Sequence, residues 1–526
     1  MTMSEPNKIL ILGNGPCAHS IAEDILAKGD EIIIAVKEND ADFPSLGEKA
    51  EILTGTTLLS CRGAVGNFNL TLIRNGERIS RISANIIIAE EAVRKPNFSL
   101  YGLSPSSNII SLSRIRELLS DASDREDGLS KMRKIAFLTG LARESNPVIL
   151  EEIMRYSLDL QPFNIQTYIL TKNLKVGENK LEALYRRTKD AGAVYIKFTD
   201  TLPEIRCSED GSVTLLFNDE IMRKKFSLKL DMLVADETIS PSDYAGKLAA
   251  IFEIDTDING FVQADNVHRV SVFTNRKGIL VAGPSRSVQS PKDEAADTGN
   301  AVLSSLNLRS DSFVQTEDKA EINSGLCARC LTCYRSCPYR AIAIADSIVV
   351  MPEACEQCGI CAAVCPGRAI TIKGLTRDEI SSQMVNSVPR EQETFVPFLV
   401  AFCCKRSASQ AGELASCMGH PLPQSLNIIK VPCAGGISHD HIFSALDKAD
   451  GVLILTCHEG NCHSEYGNLY ATKRAEQITN LLSNTGFEKE RIAVRTLASN
   501  MAKEFAEITD DFEKKIIELG PGRSEK

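Results

Sequence analysis

Short apolar runs alternate with amphipathic stretches at both ends of the chain. Residues 8–12 (KILIL) predict a strand, a helical pattern follows through Ile21, Ile25 and Leu26, and a second strand is predicted over 31–36. Residues 51–95 alternate apolar and polar positions in strand fashion, with Asn75-Gly76 as the signature of a hairpin turn. Strand 133–138, helix 147–160, strand 165–170, helix 178–192 and strand 193–198 read as a second α/β unit inserted into the first. Strands 213–217 and 226–234 lead to Ala235-Asp236-Glu237. Gly278 and Gly283 bracket a further apolar strand, and a helix from Asp293 to Ser305 follows. From residue 395 the alternation resumes, with strands 395–402, 426–431, 451–456 and 491–497 and helices 466–484 and 499–519. That order predicts a doubly wound parallel sheet.

Between these two regions lie eight cysteines in register. CARCLTCYRSCP and CEQCGICAAVCP each read C-x-x-C-x-x-C-x-x-x-C-P. This is the spacing of two-cluster bacterial ferredoxins, in which the fourth cysteine of each run ligates the other cluster. It assigns Cys327, Cys330, Cys333 and Cys365 to one [4Fe–4S] cluster, and Cys355, Cys358, Cys361 and Cys337 to a second. Zinc knuckles or a disulfide module are the alternatives, and two proline-closed runs in register argue against both. Arg340–Ile344 and Arg368–Ile372 form an internal repeat behind the two runs, so the module is expected to have pseudo-twofold symmetry. The polar stretches 306–324 and 373–394 flank it as links.

Two further patterns carry chemistry. Gly13-Asn14-Gly15-Pro16-Cys17-Ala18 joins the first strand to the first helix, the context in which a glycine turn cradles a pyrophosphate at a helix N-terminus. Gly13, Gly15 and Ala18 are its candidates, set against an empty turn of the same shape. The acidic residue expected at the end of the second strand is absent there; Val36 holds the place, and Glu38, beyond Lys37, is the substitute. In the C-terminal region three successive strands end in cysteine, at Cys403-Cys404, Cys433 and Cys457, with Cys462 close behind. Strand ends of a doubly wound sheet converge, which makes these thiols a metal site rather than several independent buried cysteines. Cys403 and Cys404 are rivals for one ligand position. Five of the seven histidines (420, 439, 441, 458 and 463) fall in this region and are expected at the surface or hydrogen-bonded to sulfur rather than on metal. Cys17, Cys61 and Cys207 are expected as small buried hydrophobes, and Cys417 as structural.

Composition narrows the classes. A net charge of −10 without a basic cluster argues against nucleic-acid binding. The N-terminus lacks the pattern of a signal peptide, and apolar runs near Phe395–Cys404 are too short to span a bilayer. A cytoplasmic location is expected, with membrane association only through a partner. Seventeen cysteines in a reducing compartment read as metal ligands.

The pieces GNGPCA, GAVGNFNLTL, NIIIAEE, NKLEALYRRTKDAGAVYIKF, DINGFVQAD and GILVAGPSRSVQSPKDEAADTGNAV resemble the flavin-carrying subunit of heterodisulfide reductase over about residues 8–305. The resemblance implies that the strand bracketed by Gly278 and Gly283, with its following helix, closes over FAD. Departures from that family are Ala89-Glu90-Glu91 and Ala235-Asp236-Glu237, each standing where an Ala-Thr-Gly turn contacts the flavin dinucleotide, and Gly140, standing where a cluster cysteine is expected. AFCCKRS, VPCAG and LTCHEGNCHSEYGN resemble the delta subunit of methyl-viologen-reducing hydrogenase over about 395–520. That resemblance implies a [2Fe–2S] cluster on Cys404, Cys433, Cys457 and Cys462, with Ser407 where the family often has another cysteine. The combination of parts resembles a soluble subunit of the quinone-interacting membrane-bound oxidoreductases.

The expected architecture is α/β. It comprises a Rossmann-like FAD/NAD-binding-type domain with an inserted unit (1–305), an α+β two-cluster ferredoxin module (306–373), a linker (374–394) and a doubly wound parallel domain (395–526). The expected role is that of an electron-transfer subunit in a heterodisulfide-reductase-like or quinone-interacting complex, relaying electrons through two [4Fe–4S] clusters and a [2Fe–2S] cluster, with FAD as a further terminus. The alternatives are a self-contained flavin/iron–sulfur oxidoreductase acting on a small molecule, and an adaptor whose N-terminal domain has lost FAD. No catalytic triad is visible.

Overall fold

The computed structural model describes residues 8–522 except 40–45, 121–128, 130–131, 178–179, 200–201, 208–211, 220–223, 264–265, 267–268, 270, 311–318 and 385–394. The start of the expected helix 178–192, the end of DINGFVQAD and parts of both polar links lie outside the described residues.

The N-terminal region is built on a parallel five-stranded sheet. Its strand order is Ile279–Val281, Asn85–Ile88, Lys8–Leu12, Glu31–Ala35, Ala50–Leu53. Ile9, Leu10, Ile11 and Leu12 have no exposed surface, as expected of a strand covered on both faces. Helix Pro16–Ala27 packs against helix Pro291–Ser310 on one face. The alternating stretch forms an antiparallel sheet of Thr56–Ala64, Asn67–Arg74 and Glu77–Ser83, and Asn75 and Gly76 both take positive φ (50° and 87°), as the hairpin turn requires. The inserted unit is a second parallel sheet, ordered Val194–Lys197, Gln166–Thr171, Lys134–Thr139, Met232–Ala235, Ile109–Ser111.

The expected strand 226–234 divides at Asp231. Lys224–Leu230 joins an antiparallel sheet and Met232–Ala235 the parallel one, and the Asp231 carboxylate accepts from the backbone N–H of Arg133 and Lys134 at the bend.

The cysteine-rich module has two small antiparallel pairs, Glu321–Ile322 with Ile370–Thr371 and Ile342–Ile344 with Ile348–Val350. Its two halves repeat in backbone conformation. Arg329 and Gln357 (φ 52° and 57°), Leu331 and Gly359 (61° and 83°), and Arg340 and Arg368 (53° and 50°) are left-handed at matching positions.

The C-terminal region is a parallel sheet ordered Leu426–Val431, Leu399–Cys404, Gly451–Thr456, Ile492–Thr496. Helices Ala408–Cys417 and Ala502–Leu519 pack together on one face, and His439–Leu446 and Gly467–Ser483 on the other. The chain runs from the second-placed strand to one edge and then back to the other side, so the order reverses between Leu399–Cys404 and Gly451–Thr456. This is the switch point at which doubly wound sheets open a crevice. Among the described residues no helix is long and apolar enough to cross a membrane.

Candidate iron–sulfur sites

The turns of the cysteine-rich module aim its thiols inward. One cavity, about 370 Å³ including space open to solvent, is lined by Cys327, Cys330, Cys333 and Cys365. A second, about 320 Å³, is lined by Cys337, Cys355, Cys358 and Cys361. Each cavity thus draws its fourth cysteine from the other run. The backbone N–H of Ala341 donates to Cys337 Sγ at 3.4 Å, and that of Ala369 donates to Cys365 Sγ at 3.3 Å, a repeat-related pair. Burial pushes the thiols of Cys333, Cys337 and Cys361 up, Cys361 to about 12. Neutral thiols are therefore favoured unless a bound cation compensates the thiolates.

Among the described residues no three His, Cys, Asp or Glu side chains converge as on a single metal ion. Four thiols arrayed around a cavity fit the dimensions of a cubane rather than of one zinc ion. The two sites differ in access. Cys330 is exposed and Cys327 partly so, whereas Cys337, Cys355, Cys358 and Cys361 are all buried.

The third group stands at the switch point of the C-terminal sheet. Cys404 Sγ and Cys457 Sγ are 3.7 Å apart, and the Cys457 thiol donates to Ser407 Oγ at 3.4 Å. Two thiolates on one tetrahedral metal, with bonds of about 2.3 Å, stand ~3.8 Å apart. Cys462 hydrogen-bonds to both Cys433 and Cys457, and its contact with Cys433 is the main cause that raises its thiol to about 11. Cys404, Cys433, Cys457 and Cys462 all share one buried core. Arg474, buried beneath them, donates to the carbonyl of Gly435 at 3.2 Å and lies within electrostatic reach of Cys433.

Cys403 is not brought to this group. Successive side chains of a strand point to opposite faces, and Cys403 packs on the other face with Ala408 and Phe505. The histidines serve local structure: His441 Nδ1 accepts from the Ser438 N–H in a capping box, and His458 contacts Thr496 and Met501. Cys17 is buried as expected, but Cys61 is only partly buried, and Cys207 and Cys417 are exposed. Cys207 lies on a strand of a small antiparallel sheet and Cys417 at the end of a helix, so neither meets the core.

The first glycine turn forms where expected, and the chain's own atoms occupy it. A Cβ on Gly13 would fall 2.0 Å from the carbonyl oxygen of Ala89, and one on Gly15 would fall 1.5 Å from Glu91 Oε1. Ala18 is buried in the helix–sheet core and Glu38 is exposed. Gly278 turns against Val65 and Phe68, and Gly283 against Cys17. Burial raises the carboxyl of Glu90 to about 7, with further contributions from Glu38 and Glu91 and an opposing one from Lys37. Glu91 is raised by burial and by Glu294.

The matching turn of the inserted unit is filled more firmly. Asp236, 2% exposed, accepts from Asn97 Nδ2 (2.8 Å), Tyr101 OH (2.9 Å) and the Gly140 N–H (2.9 Å). Glu237 accepts from the Ser113 N–H and hydroxyl and pairs with Arg94. Carboxylates at both turns do not fit a dinucleotide pyrophosphate, whose charge needs the bare N–H groups.

Comparison with known proteins places these parts. A family model described as "4Fe-4S dicluster domain" matches residues 319–366, and one described as "Methyl-viologen-reducing hydrogenase, delta subunit" matches 399–520. An iron-sulfur subunit of the F420-non-reducing hydrogenase of Archaeoglobus profundus is 32% identical over 135 residues, covering 26% of this chain and 98% of that protein. A subunit of the ferredoxin:CoB-CoM heterodisulfide reductase of Methanosarcina mazei is 24% identical over 356 residues, covering 67% of this chain and 44% of that protein. The chain thus spans less than half the length of that relative. Among solved structures, T. acidophilum thioredoxin reductase aligns with 14% identity and a TM-score of 0.37, over 58% of this chain and 99% of that one; at that level the fold rests on the sheet orders described above.

The protein is therefore an iron–sulfur α/β fusion, with a region like that heterodisulfide reductase subunit, a dicluster 4Fe–4S domain and a hydrogenase-delta-like domain in one chain. Through residues 399–520 it belongs to the methyl-viologen-reducing hydrogenase delta-subunit family.

Proposed function

We propose that the chain is an electron-transfer subunit of a heterodisulfide-reductase-like or quinone-interacting multisubunit oxidoreductase. In this reading Cys327, Cys330, Cys333 and Cys365 hold one [4Fe–4S] cluster, and Cys337, Cys355, Cys358 and Cys361 the other. Cys404, Cys433, Cys457 and Cys462 hold a [2Fe–2S] cluster. Such clusters, when bound, supply one-electron relay at potentials set by ligands, hydrogen bonds and solvent exposure. The observation that carries the proposal is that the thiols of the second cubane site and of the third site belong to one continuous buried core. That core keeps water from both sites, while the N–H groups of Ala341 and Ala369 aim at sulfur and favour its more negative state.

The N-terminal domain, on this proposal, is a flavin-free docking scaffold. It grips the relay at several points: Asn275 Nδ2 donates to the Pro338 carbonyl at 3.3 Å and Asn266 Nδ2 to the Cys462 carbonyl at 3.0 Å, while Tyr466 OH donates to Asp255 at 3.3 Å. A self-contained flavin enzyme would need a dinucleotide cradle, and Glu91 and Asp236 stand in both. The partners are other subunits of the complex, and any membrane association comes through them. Anaerobic purification with iron, sulfide and flavin analysis tests the reading. About ten irons per chain are expected; about eight would remove the third cluster.

A further inference from the structure

The boundary between the second cubane site and the third thiol site is built from residues without side chains. Gly359, in the second cysteine run, is left-handed (φ 83°), and a Cβ on it would fall 3.0 Å from Gly436 Cα. From the other side, a Cβ on Gly436 would fall 2.7 Å from the carbonyl oxygen of Cys358 and 3.1 Å from Gly359 Cα. On Gly435 it would fall 2.8 Å from Gly467 Cα and 2.9 Å from Ile360 Cγ1. On Gly467 it would fall 2.4 Å from Cys433 Sγ. Most of these neighbours are backbone atoms or a buried thiol, which cannot rotate away in a close-packed interior. The loop that carries Cys358 and the loop that carries Cys433 therefore meet backbone against backbone, an approach only glycine permits.

Tyr339 stands beside this seam. It is 8% exposed, and its hydroxyl donates to the His463 carbonyl at 3.2 Å and to Ser464 Oγ at 3.1 Å, which fixes the ring. It lies within electrostatic reach of the thiols of both Cys358 and Cys433, one from each site.

We infer that Gly359, Gly435, Gly436 and Gly467 are positioning residues that set the closest approach of the second cubane's ligands to those of the third site, with the Tyr339 ring filling the space beside them. The inference rests on the electron-transfer reading above. The process it serves is a one-electron exchange: the reduced centre is oxidised by one unit, the other is reduced by one, and no bond or proton moves. Tunnelling rates fall steeply with distance, so a seam of bare backbone is the arrangement that keeps the two sites coupled.

The test uses the full chain, purified anaerobically, with two readouts: iron content, and the magnetic splitting between centres in the EPR spectrum of the fully reduced protein. Gly436→Val is expected to keep iron at the wild-type level, to lose the splitting between the second cubane and the third centre, and to slow their equilibration several-fold. Tyr339→Ala is expected to weaken the coupling, and Tyr339→Phe, which keeps the ring, to restore it. Gly299→Ala, in a helix with nothing within 4 Å, is the control and should match wild type. Full iron with unchanged splitting in both Gly436→Val and Tyr339→Ala overturns the inference. If Gly436→Val fails to hold iron, Tyr339→Ala decides alone. A wild-type chain with no third signal would instead remove the electron-transfer reading itself, so the two failures are distinct.

Discussion

Substituting the two adjacent cysteines at the end of strand Leu399–Cys404 one at a time separates the third site from the core behind it. Cys404 Sγ stands 3.7 Å from Cys457 Sγ, the separation of two thiolates on one tetrahedral iron. Cys403 has no exposed surface and faces Ala408 and Phe505 across the sheet. Cys404→Ser is therefore expected to lower iron from about ten to about eight per chain and abolish the [2Fe–2S] signal while leaving both cubanes. Cys403→Ser places a hydroxyl among apolar side chains, at ~1–3 kcal/mol if it finds no partner. Its melting midpoint should fall by several degrees with iron unchanged. Iron and sulfide assays with EPR on both variants, beside thermal melts, make the comparison. Loss of two irons from Cys403→Ser but not from Cys404→Ser would refute the strand-parity argument.

Gly467→Ala would put a methyl group 2.4 Å from Cys433 Sγ, so the third EPR signal should vanish while the cubane signals persist. Asp236→Ala leaves the Gly140 N–H, Asn97 and Tyr101 without their shared acceptor, each orphaned donor being worth ~1–3 kcal/mol, and the urea midpoint should drop accordingly. Glu90, raised from its ordinary 4.5 to about 7, binds its proton more tightly folded than unfolded. Full stability is then kept below pH 4.5 and lost as pH rises through about 7, by at most ~3 kcal/mol before solvent screening, and Glu90→Gln should flatten that part of the profile. Flavin-replete purification should yield fewer than about 0.1 FAD per chain, and occupancy near one would restore the flavin terminus.

Much of the relay was legible from the chain alone, because its chemistry is written in local spacing. The two cysteine runs, the strand-end cysteines and the Asn75-Gly76 turn each need only a few neighbouring residues. What stayed hidden depends on partners distant in sequence. The choice between Cys403 and Cys404 turns on which face of the strand meets the crevice, and a strand expected over 395–402 but lying at Leu399–Cys404 left that face undefined. Helix Ala408–Cys417 went unread because its buried face is small: Ala411, Gly412 and Ala415 make no apolar stripe, and a Cβ on Gly412 would lie 2.8 Å from Phe505 Cζ. The exposure of Cys207 and Cys417 was equally invisible, since an isolated cysteine carries no periodic signal. The acidic turns at Glu90-Glu91 and Ala235-Asp236-Glu237 stood out as departures, but that Asp236 satisfies three donors is a fact of the fold.

Leu331 and Gly359 hold equivalent places in the two cysteine runs, both left-handed. A leucine can adopt that conformation at a strain on the order of 1–2 kcal/mol, and in the first half it does. Its counterpart has no such latitude, because the backbone of Gly436 occupies the space a side chain would need. The two halves of this duplicated module have therefore ceased to be interchangeable. One cubane site keeps an exposed cysteine, Cys330, turned toward whatever molecule arrives, while the other is committed to the chain's own C-terminal domain. A module with near-twofold symmetry thereby acquires a front and a back, and the asymmetry comes down to one missing side chain.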